Sequence, residues 1–379
     1  MNLIDPRTVI LLGGVMSGLM SLVLYALKRS YPASIKGLGQ WSAALLLVFA
    51  GGVLAAGLGT LPDFLVIAVS RLLVVSGLFL AFVGSQRFFG VTPRVAPWLA
   101  LIAGVTLAQL WFTAVQPNYH VRLVLANLLA AYLFTVHAHL VLKQGLPTLG
   151  RVLTIGVLLV MAVIQVMRLV TSFIWPMGDN ILDTSPLQLV YVTSFVFCIL
   201  LLSISLVLMA TESLRAELEH LATHDSLTDA LTRRHFNQAC RRELERSRRR
   251  HHSMALLVMD LDHFKAINDT HGHQAGDQVL VGFVAKVNTL LRRPDLLGRF
   301  GGEEFIALLP ETSLAAAVLV AERIREACAA AAEGTPYTVS IGVTSNREDG
   351  TDSVDTLIAR GDAAMYRAKA NGRNRVETS

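Results

Sequence analysis

The sequence predicts two bodies of different class: an all-α bundle of membrane-spanning helices, then an α/β domain. Three observations predict this. The 379 residues are 53% hydrophobic and only 16% charged, a balance poor in charge for an ordinary soluble protein. Charge is also unevenly placed, with 11 Lys+Arg against 4 Asp+Glu up to Ala210 (+7) and 22 against 24 beyond it (−2). After Ala210, short apolar runs alternate with longer amphipathic stretches, the pattern of strands and helices packed in layers. Because the positive excess belongs to the hydrophobic half, nucleic-acid binding is a poor explanation for it, and no nucleic-acid partner is expected.

Seven apolar stretches make up residues 1–210: about Thr8 to Leu27, Leu38 to Gly59, Phe64 to Val83, Val95 to Val115, Val121 to Leu142, Val152 to Trp175 and Leu187 to Ala210. Each has about 20 residues, enough at about 1.5 Å per residue to cross a hydrocarbon core of about 30 Å. The first is too long for a secretory leader and lacks a small-residue cleavage site, so it reads as an anchor. Lys28, Arg29 and Lys36 lie in the first connection, Arg87 and Arg94 in the third, Lys143 and Arg151 in the fifth, whereas the second, fourth and sixth hold no Lys or Arg. Alternate loops are therefore expected in the cytoplasm, with the N-terminus outside and the C-terminus inside a membrane crossed seven times. Asp179 and Asp183 fall in the last external loop.

Polar residues interrupt the spans: Arg71, Gln109, Asn127, His137, His139, Gln165 and Arg168. Ionisable groups at membrane depth are costly unless paired or wet, which marks them for function. His137 and His139 are two residues apart and do not share a helix face, so interhelical hydrogen bonding or placement near the cytoplasmic interface is preferred over a joint metal or pH-sensing site. Nothing here names a ligand or the sign of its effect; a sensory or anchoring module is expected. Cys198, Cys240 and Cys328 have no metal spacing, and no disulfide is expected.

Residues 211–224 form a polar connector. Val207, Leu214 and Leu221 are seven apart with Leu218 between, an a/d-like seam leaving the last span. It suits either a short parallel coiled coil of two chains or one amphipathic helix packed on its own domain. The run from Arg241 to His252, with six Arg and two His, reads as a solvated helix face near an anionic membrane surface.

In residues 225–379 the pattern predicts a helix to about Arg249, a strand from Ala255, helices over Phe264 to Asp269 and Asp277 to about Leu291, a hairpin, a helix from Ser313 to Ala332, a strand from Tyr337 to Val343 and a helix from Val354 to Ala370. The hairpin rests on Gly301-Gly302, where both turn positions can take positive φ. Glu303 and Glu304 follow it. They are either a solvated strand end or a site for a cation. The continuous apolar run Met254 to Met259 reads as a buried strand ending in Asp260-Leu261-Asp262. A strand that delivers carboxylates beside a hairpin carrying two more makes a hard-oxygen site suited to Mg²⁺, as phosphoryl transfer needs.

Asp260-Leu261-Asp262-His263-Phe264-Lys265-Ala266-Ile267-Asn268-Asp269-Thr270-His271-Gly272-His273, then Gly276-Asp277, then Gly301 to Phe305, resembles the GGDEF family of diguanylate cyclases. His224 to Arg234 resembles the family's opening motif, with Asp229-Ala230 and Thr232 in place of the more usual Gly-Leu and Asn. The resemblance runs from about Leu221 to the C-terminus and implies a fold similar to the palm of polymerases and nucleotidyl cyclases. It implies a membrane-bound enzyme that condenses two GTP into cyclic di-GMP and two pyrophosphates, using Mg²⁺, two ions per half-site, with Mn²⁺ as a substitute.

Matched position by position, the resemblance makes Asp260, the Leu261 carbonyl and Glu303 metal ligands, with Glu304 as a further contributor, and makes Glu303 also the catalytic base for the ribose 3′-hydroxyl, a weak one once metal-bound, so that the metal does most of the activation. It places Lys265 on the triphosphate as a catalytic cation and Lys369 and Arg373 on phosphates, with Phe264 lining the nucleotide. Lys369 and Arg373 taken singly would equally complement a helix dipole. Asn268 and Asp277 match guanine readers, and Gly272 and Gly276 would let backbone approach the nucleotide. Arg292 and Asp295 match the family's inhibitory product site, with Arg323 as a secondary contributor. Joining two GTP implies two domains facing one another in a C2 homodimer, held through the connector. Two alternatives remain: a catalytically silent receptor for cyclic di-GMP, or a seven-span receptor or transporter with a regulatory C-terminal domain.

Overall fold

The computed structural model describes residues 5–60, 62–145, 147–175, 182, 185–330, 335–347 and 350–379, in two compact units, Met1–Ala216 and Glu217–Ser379. Asp179 and Asp183 lie outside the described residues.

The first unit is built from α1 (Pro6–Ser30), α2 (Leu38–Ala56), α3 (Asp63–Phe88), α4 (Ala96–Ala114), α5 (Tyr119–Leu142), α6 (Leu149–Ile174) and most of α7 (Pro186–Thr223). All seven are long and apolar enough to cross a membrane. The Asp5 side chain caps α1 by accepting from the Arg7 N–H at 3.2 Å, with Pro6 at the first helical position. α7 runs 13 residues past Ala210, the end expected for its span, because no Gly or Pro interrupts it between Pro186 and Thr223.

Trp41, Phe134, Leu158, Leu206 and Met209 fill the interior of the bundle, while Leu12, Leu22, Leu107 and Phe173 are more than half exposed on its outside. An apolar exterior of this kind is compatible with a lipid surround. α2 and α3 touch through small residues: a Cβ at Gly77 would lie 2.7 Å from the Ala44 carbonyl. His137 is buried and its Nε2 lies 2.7 Å from the Ser85 hydroxyl, to which Trp41 Nε1 donates at 3.2 Å; His139 is exposed. The two histidines do not converge, and His137 is a hydrogen-bonded core residue.

The second unit contains β1 (Leu231–Thr232), α8 (Arg233–Arg250), β2 (Ala255–Leu261), α9 (Phe264–His271), α10 (His273–Leu290), β3 (Leu296–Arg299), β4 (Glu304–Leu309), α11 (Leu314–Ala329), β5 (Val339–Ser345), α12 (Val354–Ala370) and β6 (Val376–Thr378). The sheet order is β1-β3-β4-β2-β5-β6, with β2 antiparallel to both neighbours. Every residue of β2 is buried because helices cover both faces. Ala255, Leu257, Met259 and Leu261 pack with α9, α10 and α11; Leu256 and Val258 pack with α8 and α12. Period-two alternation thus survives inside a run that reads as uniformly apolar.

Two boundaries differ from expectation. α10 starts at His273 rather than Asp277, because Gly272 at φ +82° both ends α9 and opens α10. β5 covers Val339–Ser345 rather than Tyr337 to Val343, in the register that pairs Leu261 with Val339. Ala331 and Ala332, the expected end of the helix after Ser313, lie outside the described residues. β1 and β6 have two and three residues, too few to show a period.

Candidate active site

Asp260 arrives at the site because it is the sixth residue of a strand whose apolar neighbours lock it between β4 and β5. Its cross-strand partner is Glu304, the first residue of β4, and the Leu261 N–H donates to the Glu303 carbonyl at 3.3 Å. Antiparallel register therefore brings residues more than 40 positions apart to one sheet end. Burial pushes the Asp260 carboxyl up, Glu304 and Asp262 push the same way, and Lys369 Nζ, 2.8 Å from its Oδ1, opposes them. Burial likewise raises Glu303, reinforced by Asp260 and Glu304 and opposed by Lys369. Three carboxylates thus crowd together against one ammonium.

That imbalance fits a hard divalent cation, which favours the charged form of each oxygen donor. Among the described residues no group of three or more His, Cys, Asp and Glu is assembled as a ready metal cage. Two carboxylates and one carbonyl, completed by phosphate and water, is the incomplete protein donor set that Mg²⁺ ordinarily uses. The residues present fit the ion.

The hairpin forms, with Arg299 opposite Phe305. The expected positive-φ Gly-Gly turn does not: neither Gly301 nor Gly302 has positive φ. The link between β3 and β4 is Phe300 to Glu303, and four residues can reverse the chain without left-handed backbone. It is closed by the Phe300 N–H donating to the Glu304 carbonyl at 2.8 Å, and by Arg299, whose Nε and Nη2 donate to the Gly301 and Gly302 carbonyls at 3.2 and 2.7 Å. Arg299 Nη1 also meets Asp225 Oδ1 at 2.8 Å. Burial raises Asp225, but hydrogen bonds from Arg299 and Thr228 outweigh it and hold the carboxyl below its ordinary range. Asp225 of the opening motif is thereby joined to the hairpin tip.

The residues expected to meet the nucleotide lie on α9, α10 and α12 and, for Arg373, in the turn after α12. Phe264 is buried at the start of α9, whereas Lys265 is exposed and free of hydrogen-bond or ion-pair partners among the described residues. Asn268 is half-buried, and a Cβ on Gly276 would overlap its Oδ1. Glycine at 276 therefore makes room for the Asn268 amide, while a Cβ at Gly272 would meet nothing. Asp277 and Arg373 are exposed, Arg373 at φ +61°. Arg292 and Asp295 pair with each other: the Arg292 N–H donates to Asp295 Oδ2 at 2.8 Å, and the guanidinium reaches Asp295 Oδ1 at 3.4 Å and the Thr312 hydroxyl at 2.8 Å. Asp295 is buried and Arg292 largely exposed. Arg323 is exposed, donating to the Leu290 carbonyl at 3.4 Å.

The sequence reading sets Asp262 beside Asp260 among the strand-end carboxylates and gives Arg299 no role. Asp262 is buried and accepts from the Thr338 and Ser340 hydroxyls, both at 2.7 Å, and from the Asn374 N–H at 3.0 Å. It fastens β2, β5 and the turn carrying Arg373. Its signal was a second acid just past a buried strand, where an unpaired charge would be prohibitive.

Residues 222–375 match the family model described as "Diguanylate cyclase, GGDEF domain". Over 169 residues the chain is 44% identical to diguanylate cyclase DgcM of Escherichia coli strain K12, covering 43% of this chain and 40% of that protein. It is 38% identical over 180 residues to response regulator PleD of Caulobacter vibrioides, covering 44% of this chain and 38% of that protein. The match thus spans about two fifths of the length of these curated relatives. Similar solved structures include the GGDEF domain of DgcB from Caulobacter crescentus in complex with c-di-GMP, at 32% identity and TM-score 0.40, covering 41% of this chain and 95% of that one. Another is the active GGEEF domain of a diguanylate cyclase from Vibrio cholerae, at 33% identity and TM-score 0.37, covering 39% and 96%. Residues 222–375 are thereby a GGDEF domain.

Proposed function

We propose that the protein is an inner-membrane diguanylate cyclase that condenses two GTP into cyclic di-GMP and two pyrophosphates. The reading divides the chain into a membrane module (1–210), a helical connector (211–224) and a cyclase domain (225–379), with the N-terminus outside and the cyclase in the cytoplasm. The observation that carries it is the crowding of Asp260, Glu303 and Glu304 at one sheet end against Lys369, on a domain of the GGDEF family.

In this reading Asn268 and Asp277 hold the guanine edge, and Lys265, Lys369 and Arg373 hold the triphosphate. Lys369 exchanges Asp260 for a phosphate oxygen when nucleotide is bound. Asp260, the Leu261 carbonyl, Glu303 and Glu304 would hold Mg²⁺, or Mn²⁺ in its place, which when bound supplies charge neutralisation of the triphosphate and activation of the 3′-hydroxyl. Glu303 orients the ribose 3′-hydroxyl. Each domain binds one nucleotide, so two must meet as a C2 homodimer in which each 3′-hydroxyl faces the other's α-phosphate. Leu218 and Leu221, exposed on the last turns of α7, supply an unpartnered apolar seam for pairing the connectors. Arg292, Asp295 and Arg323 form the inhibitory product site; the Arg292–Asp295 pair is its resting state, and arginine is the side chain best suited to fork and stack on guanine.

Full-length protein purified in detergent is to be incubated with GTP and Mg²⁺ and the products separated. Cyclic di-GMP from the wild type, none from Glu303→Ala and loss of product inhibition in Arg292→Ala are expected. Tight cyclic di-GMP binding without turnover would refute the cyclase and leave a receptor.

A further inference from the structure

The membrane module encloses a cavity of about 230 Å³ to which all seven of its helices contribute. One part of its wall is strongly polar: Arg71 on α3, Gln109 on α4, Tyr119 and Asn127 on α5, and Arg168 on α6. The rest is apolar, formed by residues such as Val48, Leu78 and Ile199. The cations are poorly compensated. Arg71 has no hydrogen-bond or ion-pair partner among the described residues, and its Nη1 is buried without one. Arg168 reaches Gln188 Oε1 at 3.0 Å through Nη2, but its Nε is buried without a partner. Asn127 is 4% exposed and its Nδ2 is likewise unpartnered. Arg122, just behind at the start of α5, donates to Thr113 at 3.2 Å and leaves its Nε orphaned.

These are donors without acceptors. No Asp or Glu lines the cavity among the described residues, and residues up to Ala210 contain only four acids in all. Arg122 and Arg168 both lie near enough to Arg71 to repel it. A guanidinium N–H buried without an acceptor is costly, and one such orphaned donor on each of three neighbouring arginines is retained only where something answers them. Arginine fits planar oxyanions bidentately, and an amide beside it adds a further donor.

We propose that this cavity is a receptor site for a small amphiphilic oxyanion, a carboxylate or phosphate head on a short apolar body. The head lies among Arg71, Arg168 and Asn127 and the body against the apolar wall. At about 230 Å³ the space falls below the roughly 300–1,000 Å³ of sites for drug-sized ligands, which points to a metabolite-sized molecule or to the head of one lipid. Arg71 lies near the start of α3, Arg122 near the start of α5 and Arg168 near the end of α6. In the proposed orientation, on which this clause alone rests, all three are at the outer side of the membrane. The site itself does not depend on the cyclase reading.

The test is thermal unfolding of detergent-purified full-length protein, which reads binding without using turnover. The probes are acetate, hexanoate, succinate, hexyl phosphate and inorganic phosphate, with phosphatidylglycerol in mixed micelles as the lipid arm. Hexanol, hexylammonium and sodium chloride are controls. An anion-specific, saturable rise in Tm of a few degrees at about tenfold the dissociation constant is expected. It should be lost in Arg71→Gln and Arg168→Gln. Asn127→Leu, which removes one donor and no charge, should weaken it about tenfold and covers the case where an arginine variant does not fold. A shift from phosphatidylglycerol alone assigns the head to a lipid; one from the soluble anions assigns it to a free metabolite. No anion-specific shift with any probe, or a shift that survives both arginine variants or Asn127→Leu unchanged, overturns the proposal.

Discussion

Asp262→Ala should be among the most damaging single substitutions in the cyclase domain. The carboxylate is 3% exposed and accepts from the Thr338 hydroxyl, the Ser340 hydroxyl and the Asn374 N–H. A hydrogen bond to a charged acceptor contributes about 1.5–3 kcal/mol, and partners left unpaired in a buried place add their own desolvation cost. The three are not additive because they share one acceptor. We therefore expect a loss of about 3–5 kcal/mol, or roughly 6–15 °C in the Tm of a domain this size. Asp262→Asn keeps one carbonyl oxygen and should lose about half as much. Arg373 and Asn374 both have positive φ, a strained pair that Asp262 helps to hold, so KM for GTP should rise more than kcat falls. Pulse proteolysis of the full-length protein, following fragments of the C-terminal domain, reads the stability. A loss below about 1 kcal/mol for Asp262→Ala, or equal losses for Ala and Asn, would refute the reasoning.

Other outcomes follow from the same geometry. Asn268→Ala or Asp277→Ala should broaden base choice, seen as a smaller ratio of GTP to ATP turnover in kcat/KM. Asp225 is held below its ordinary pKa, so its ionised form contributes stability that is full above the unfolded value near 3.8 and is lost as pH falls through the lower folded value. Asp225→Asn should therefore lower stability at neutral pH and flatten the acid limb of a stability–pH curve; an unchanged limb would exclude the Arg299 pair as its cause. Asp260 and Glu303 are raised, so protons compete with the metal for them from a higher pH than for ordinary carboxylates: Mg²⁺ affinity should fall as pH drops into that range, and calorimetry there in buffers of different ionisation enthalpy should detect proton release. Gly342→Ala should cost about 3 kcal/mol, because its Cβ would overlap the Gly361 carbonyl of α12, whereas a Cβ at Gly302 meets nothing and Gly302→Ala should stay within about 0.5 kcal/mol in proteolysis.

Much of this protein is legible along the chain because the signals are local. Seven apolar runs of membrane length need no tertiary information, since lipid selects each helix by its own hydropathy. The apolar run ending in Asp260-Leu261-Asp262 and the glycines before Glu303 suffice to expect strand-end and hairpin carboxylates together, while the family resemblance alone singles out Asp260 and the Leu261 carbonyl. What the sequence could not show was who neutralises whom. Lys369 at 2.8 Å from Asp260, Asp262 under Thr338 and Ser340, and Arg299 on Asp225 are pairs separated by 74 to 109 positions, chosen by strand register and helix packing. The hairpin loop lacks positive φ for the same reason: Arg299 sets its shape from outside the turn. In the membrane module, Arg71 and Arg168 could be marked as costly from the sequence alone, but only the folded bundle puts them on one cavity with no acid beside them among the described residues. Local pattern determines which elements form and which side chains they carry. Long-range packing decides which charges meet, because electrostatic pairing depends on distance in space and not along the chain.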